Sequence, residues 1–147
     1  GTRRAARQYR AVRRAPLPRH PKGVVMASIE DIARDFTALL RAGEFETAGD
    51  RYWAPDVTSI EPPLRPGGPC VAVSGIEATR IKRRARFGDA RIDEIGIDGP
   101  FVTGDQFALF LDMVLIDAAS GARQPFTEIA LYTVRVGQIA EERYFYD

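Results

Sequence analysis

The stretch that most constrains this chain is its last, Arg123-Gln-Pro-Phe-Thr-Glu-Ile-Ala-Leu-Tyr-Thr-Val-Arg-Val-Gly-Gln-Ile-Ala-Glu-Glu-Arg-Tyr-Phe-Tyr-Asp147. Two β-rich runs, Phe126 to Val136 and Gln138 to Asp147, meet at Gly137, a residue free to take the positive φ of a tight turn. The pattern predicts a long terminal hairpin. Alternate side chains of a strand point to opposite faces, so Phe126, Glu128, Ala130, Tyr132 and Val134 share one face, and Thr127, Ile129, Leu131, Thr133 and Arg135 the other. Both faces are largely apolar, which calls for cover on both: helices against one and a second subunit against the other. Into that apolar setting the sequence places Glu128 on the first strand and Glu142, Tyr144 and Tyr146 along one face of the second. An acid and phenols on buried strands imply a polar-lined pocket for a small-molecule ligand.

Length and composition narrow the classes. A chain of 147 residues, 45% hydrophobic, is one domain's worth and can bury a core. No apolar run approaches a membrane span, and the basic beginning leads into Pro-rich sequence rather than an apolar signal segment, so a soluble, cytoplasmic protein without membrane partners is expected. The single cysteine, Cys70, excludes an internal disulfide and a cysteine-based zinc site. The single histidine, His20, lies in the N-terminal arm, which argues against a Ser-His-acid triad and a two-histidine metal site. No Gly-rich phosphate loop follows a strand. Chemistry with no cofactor and no metal is the expectation, carried by carboxylates, phenols or arginines.

The net charge of +1 conceals an asymmetry. Residues 1–25 carry seven Arg, one Lys and no acid; the remainder carries 13 basic against 20 acidic residues. Two segments follow: a basic arm over 1–25 and a folded domain over 26–147, with Met26 a candidate natural start. Clustered arginines suit phosphates, but no aromatic or base-reading module accompanies them, so nucleic acid is not the expected partner.

Ser28-Ile-Glu-Asp31 fits a capping box, and Ile29, Ile32, Ala33, Phe36 and Leu40 recur at helical spacing up to Gly43. A second helix is expected from Glu44 to Trp53, closed by Pro55 and Asp56, with Trp53 anchoring it or stacking on a ligand. Val57 to Glu61 reads as a short strand broken by Pro62-Pro63. The Pro-rich run from Pro62 to Pro69 reads as a loop. Ser74-Gly75 opens a third helix to about Arg86, with Ile76, Ile81 and Ala85 as its apolar side and Lys82-Arg83-Arg84 as a solvated face. Strands are then expected over Arg91 to Pro100, Gln106 to Asp117 and the terminal hairpin. Asp112 interrupts an otherwise apolar run, and a buried carboxylate needs a partner or a wet cavity. Helices first and a meandering sheet after them is an α+β layout.

Several of these segments resemble the SnoaL-like branch of the nuclear transport factor two-like, cone-shaped α+β barrels. The resemblance rests on Phe36-Thr-Ala-Leu-Leu-Arg-Ala-Gly-Glu44, Tyr52-Trp-Ala-Pro-Asp56, Ser74-Gly-Ile-Glu77 and, above all, Glu128 to Asp147. It covers about Ser28 to Asp147. It implies three N-terminal helices packed on a strongly curved, mostly antiparallel sheet, a conical pocket between them, and often a homodimer across the outer sheet face. The superfamily hosts isomerases, dehydratases, cyclases, epoxide hydrolases and non-catalytic modules on one shape, so the resemblance does not choose a reaction.

Within it, the ketosteroid isomerase subgroup offers a chemical template: a carboxylate base facing an oxyanion hole. The resemblance puts Glu61 at the base position, Phe36 at the tyrosine position and a point near Ala130 at the protonated-acid position. The site expected is therefore Glu61 and Glu128 as catalytic acids and bases, with Trp53, Asp112, Tyr132, Glu142, Tyr144 and Tyr146 lining the pocket. The competing expectation for Glu128 is an ion pair with Arg143 or Arg123. Two functions follow: a cofactor-independent isomerase or lyase acting on a small, mostly apolar carbonyl compound, or a non-catalytic ligand-binding or dimeric scaffold module.

Overall fold

The computed structural model describes residues 27–147; the basic arm and Met26 lie outside the described residues. Ser28 caps the first helix, α1 (Ile29–Arg41), its Oγ accepting from the Asp31 amide at 3.1 Å. Ile32, Ala33, Phe36 and Leu40 of α1 are buried, as the 3.6-residue spacing requires. Gly43, at φ 75°, turns the chain into α2 (Phe45–Tyr52).

Trp53 rather than Pro55 and Asp56 closes α2: its N–H still donates to the Gly49 carbonyl while its extended backbone opens β1 (Trp53–Glu61), and its ring lies so near Gly49 that an added Cβ there would stand 2.7 Å from it. Pro55 and Asp56 fall within the irregular stretch of β1 between Trp53 and Thr58, where the ladder skips and a residue without an N–H is tolerated. The Pro-rich loop leads to a short edge strand that the sequence pattern does not announce, β2 (Val71–Ser74), which runs back along Glu61 to Thr58. There follow α3 (Ile76–Phe87), β3 (Arg91–Thr103), β4 (Gln106–Ile116), β5 (Arg123–Arg135) and β6 (Gln138–Phe145). β3 runs past Pro100, absorbing Gly99 and Pro100 in a register shift between Asp98 and Phe101.

The six strands form one sheet in the order β2-β1-β6-β5-β4-β3. All neighbours are antiparallel except β1 and β6. The edge strands β2 and β3 do not meet, so the expected cone is an open, curved sheet rather than a closed barrel. Three helices on a mostly antiparallel sheet is the α+β class expected. The terminal hairpin pairs Arg135 with Gln138 across a two-residue turn, in which Val136 and Gly137 have φ 51° and 74°.

The predicted alternation on β5 holds up to Tyr132: Glu128, Ala130 and Tyr132 are buried on the concave face, whereas Thr127 and Ile129 are exposed; beyond it Thr133 of the other face is buried along with Val134, and Arg135 is exposed. Phe36 packs edge-on against Tyr132 at 4.8 Å and Phe107 at 5.9 Å, and Phe107 stacks on Tyr132 at 4.8 Å. This aromatic block is the dry end of the core.

α3 departs from its expected orientation. Ile81 is 58% exposed and Ala85 is exposed, while Thr79 is buried and the stems of Lys82, Arg83 and Arg86 turn inward. Of the expected solvated basic face, Arg84 alone points out, to Glu46 at 2.9 Å. The reason lies on the sheet opposite, where three buried glutamates demand cations.

Candidate functional site

Strand register builds the floor of the site. β5 and β6 set Tyr132 opposite Glu142 and Ala130 opposite Tyr144, and β4 sets Leu111 opposite Glu128. Glu61 ends β1, and Ser59 of β1 stands beside Glu142. α3 closes the cavity from above with Lys82, Arg83 and Arg86, while Phe36, Leu40 and Met113 supply an apolar wall. The space left between them is about 30 Å³, room for roughly one water.

The three carboxylates are held in different ways. Glu142, 1% exposed, accepts from Ser59 Oγ at 2.7 Å and from Trp53 Nε1 at 3.1 Å. Glu61 accepts from Lys82 Nζ on Oε1 and from the Tyr146 hydroxyl on Oε2 at 2.6 Å, with Arg86 Nη1 at 3.7 Å from Oε1. Glu128, 5% exposed, accepts from Arg86 Nη2 on Oε2 alone. Its Oε1 bonds to no described residue.

Arg86 is the hub. Besides Glu128 and Glu61 it meets the rings of Tyr146 at 4.5 Å, Tyr144 at 4.8 Å, Phe87 at 5.0 Å and Phe126 at 5.3 Å. Among the described residues its guanidinium donates one hydrogen bond, leaving further N–H groups without a protein acceptor. Arg83 donates to the Phe45 carbonyl at 2.5 Å and lies 4.4 Å from the Trp53 ring.

These surroundings set the protonation states. Burial pushes the Glu128 carboxyl up, with Arg86 opposing and Glu61 and Glu142 adding to the rise. Burial would lower the Arg86 guanidinium but is outweighed by Glu128 and Glu61, so its net shift is upward. Burial holds the Tyr132 and Tyr144 phenols well above their usual range, with Glu142 the next cause for both. Tyr146 is pushed up to about 12 by burial and by its bond to Glu61. The phenols are donors, not phenolates, at neutral pH.

Of the residues singled out from sequence, Glu61, Glu128, Tyr132, Glu142 and Tyr144 line one cavity. Trp53 stands behind it, bonded to Glu142, and Tyr146 flanks it through Glu61. Asp112 does not belong there. It is exposed, paired in register with exposed Thr127 on the outer face, where water removes any need for a partner. The ion-pair partner of Glu128 is Arg86, because Arg143 turns to Glu141 and Arg123 to Asp93 and Glu94. Sequence reasoning missed Lys82, Arg83 and Arg86. The signal was a helix with too few apolar residues for a buried face, opposite strands with three unmatched acids. Among the described residues, no group of three His, Cys, Asp or Glu is placed to hold a metal ion.

Three helices over an open, mostly antiparallel sheet with a charged cavity on its concave face define the class as α+β. Residues 27–146 match the SnoaL-like domain model, and the chain belongs to that family. A crystal structure from Mesorhizobium loti, provisionally described as a SnoaL-like polyketide cyclase, is 37% identical with a TM-score of 0.72, over 82% of this chain and 100% of that one. A second protein so described, from Jannaschia sp. CCS1, is 19% identical with a TM-score of 0.60, over 85% and 92% of the two chains. TerC, co-crystallised with polyporic acid, is 17% identical with a TM-score of 0.55, over 76% and 85%. The last two show the fold alone. No functionally curated protein matches the sequence.

Proposed function

We propose that this SnoaL-like domain binds a small carbonyl compound and moves a proton on it without a cofactor, as an isomerase or lyase. The observation that carries the reading is the asymmetry of Glu128. One oxygen accepts from Arg86 and the other bonds to no described residue, in a carboxyl that lines the cavity and that burial has made a stronger base than an exposed glutamate. Glu128 takes a proton from the carbon next to the carbonyl, and the bond's electron pair moves into a carbon–carbon double bond, leaving negative charge on oxygen. Arg86 and the Tyr144 phenol stabilise that oxygen. In a β,γ-unsaturated ketone the proton returns at the γ-carbon and the carbonyl re-forms as the conjugated isomer; in a β-hydroxy ketone the hydroxyl leaves with the proton as water and the carbonyl re-forms as an α,β-unsaturated ketone. Glu61, taken from the resemblance as the base, is the poorer candidate, since Lys82 and Tyr146 occupy both its oxygens. It positions Arg86. The description of the Mesorhizobium loti neighbour as a polyketide cyclase supports a carbonyl-bearing substrate.

Deuterium exchange at enolisable carbons, followed by proton NMR in heavy water over a panel of ketones, tests this. Wild-type protein exchanges a subset, and Glu128→Gln slows that exchange on the order of 10²–10⁴-fold, the size of a general-base effect. Ligand binding with no exchange above background defeats the enzyme reading. The outcome would then favour the non-catalytic module, for which the confined cavity already speaks.

The outer sheet face carries exposed Phe110, Ile129 and Phe145, and a homodimer buries this face in our reading. Sedimentation of Phe110→Glu tests it, with a shift from dimer to monomer expected.

A further inference from the structure

A second hollow adjoins the inner cavity. A cleft of about 480 Å³ opens between the end of α1 and the start of β3, and Phe45 and Phe87 line both spaces. The two rings are thus the partition between them. Each sits at a helix end: Phe45 is the first residue of α2, and Phe87 the last of α3, just ahead of Gly88 at φ 54°. The cleft itself is walled by Ala42, Ala90, Ile92 and Ile95. Its charged residues are already engaged: Arg41 donates to the Ile97 and Gly99 carbonyls at 3.0 and 3.2 Å, and Asp93 accepts from Arg123 at 2.7 Å. An apolar group is what it can take.

The inner cavity sets the other end of the ligand. Its wall holds three carboxylates, Glu61, Glu128 and Glu142, against three cations, Lys82, Arg83 and Arg86. The charges balance, so an ionised head group would leave a buried excess charge, which is strongly disfavoured. A neutral carbonyl accepts from the spare Arg86 N–H groups and disturbs nothing. With room for roughly one water, the inner space accommodates a head group and little more.

We propose that the two hollows form one bipartite site for an uncharged ligand, with a ketone head against Arg86 and Glu128 and an apolar tail passing between Phe45 and Phe87 into the outer cleft. The inference rests on the reading of the inner cavity given above and adds the tail, its route and the exclusion of anions. Phe45 and Phe87 become the residues that set how long and how wide a tail is accepted.

The probes are 4-phenylbutan-2-one, which has head and tail; acetone, which has the head alone; and 3-phenylpropanoate, which keeps the shape with a charged head. Met113, 1% exposed and lining the inner cavity, is the reporter, through the NMR shift of its ¹³C-labelled methyl. The ketone with the tail is expected to shift Met113 saturably and to bind at least tenfold more tightly than either other probe. Ala90→Trp fills only the outer cleft and should weaken 4-phenylbutan-2-one about tenfold while leaving acetone unchanged. Ala42→Trp, at an exposed position on the same cleft, is the second variant should Ala90→Trp not fold. Indifference of 4-phenylbutan-2-one to both variants overturns the bipartite site and leaves the inner-cavity reading standing. Equal binding of 3-phenylpropanoate overturns the neutral-head assignment. A Met113 methyl unmoved by all three probes at millimolar concentration overturns this inference and the inner-cavity reading together.

Discussion

Helices α1 and α3 cover the same concave sheet face and do it by opposite means. α1 lays Ile32, Phe36 and Leu40 on Phe107 and Tyr132, and nothing polar is left to satisfy. α3 lays down Lys82, Arg83 and Arg86, whose stems cover aromatic rings and whose heads meet Glu61 and Glu128 or a backbone carbonyl. Apolar packing has one good arrangement at native density. Ion pairs between long side chains have several, and they keep donors in reserve. The contrast shows how one small core can be rigid at one end and receptive at the other.

The largest effect is expected at the dry end. Phe36→Ala removes a fully buried ring packed against three others, Tyr52, Phe107 and Tyr132, and should cost about 3–5 kcal/mol in urea unfolding. Arg86→Ala should cost about as much, ~3–5 kcal/mol, because it strands Glu128 without its partner. The two ends part company on rescue. Arg86→Met combined with Glu128→Leu should regain most of the loss, since a buried pair replaced by packed apolar groups is often neutral. If the double variant stays as unstable as Arg86→Ala, the charged roof is structural in the same sense as α1, and the comparison fails.

Gly49→Ala probes the hinge between the two ends. In an unobstructed helix the change would stabilise, but here the new methyl meets the Trp53 ring at 2.7 Å, and a loss of about 1–3 kcal/mol is expected. Because Trp53 carries Glu142, the same variant should also disturb the cavity. A Met113 methyl shift in the variant, measured without ligand, would register that disturbance; an unchanged shift would separate Trp53 from the site.

The smallest effect is common to both ends. Tyr52, beside α1 and bonded to Asp35, and Tyr146, bonded to Glu61 under α3, are each pushed up to about 12, burial being the first cause. A phenol near 12 in the folded chain and near 10 in the unfolded one keeps its proton longer when folded. The folded state therefore binds more protons above pH 10, and stability falls as pH rises from about 10 to 12, with the full contribution present below 10. Glu61→Gln should soften this fall by removing the Tyr146 contribution in part, and Asp35→Asn that of Tyr52. Unfolding measured at pH 8, 10 and 11.5 or so checks the sign.

Much of the fold was legible because periodicity is a local property. The 3.6-residue spacing of Ile29 to Leu40 and the alternation from Phe126 to Val134 each require one face to be buried, whatever lies opposite. Gly137 marked the hairpin turn, though the burden of a second positive φ on β-branched Val136 did not show. Edge strand β2 was not legible, since its pairing with β1 is a contact across the chain.

For the site, strand parity in the terminal hairpin pointed to Glu128, Tyr132, Glu142 and Tyr144 and the family resemblance to Glu61, and all five line the cavity. Only the tertiary structure decided which cations meet them, that Asp112 faces water, and that Arg86 is the one described partner of Glu128. A basic helix face reads the same whether it is solvated or buried, because burial of charge depends on what the opposite surface offers. Here three glutamates from strands β1, β5 and β6, brought together by the curl of the sheet, made it favourable for α3 to turn its charges inward.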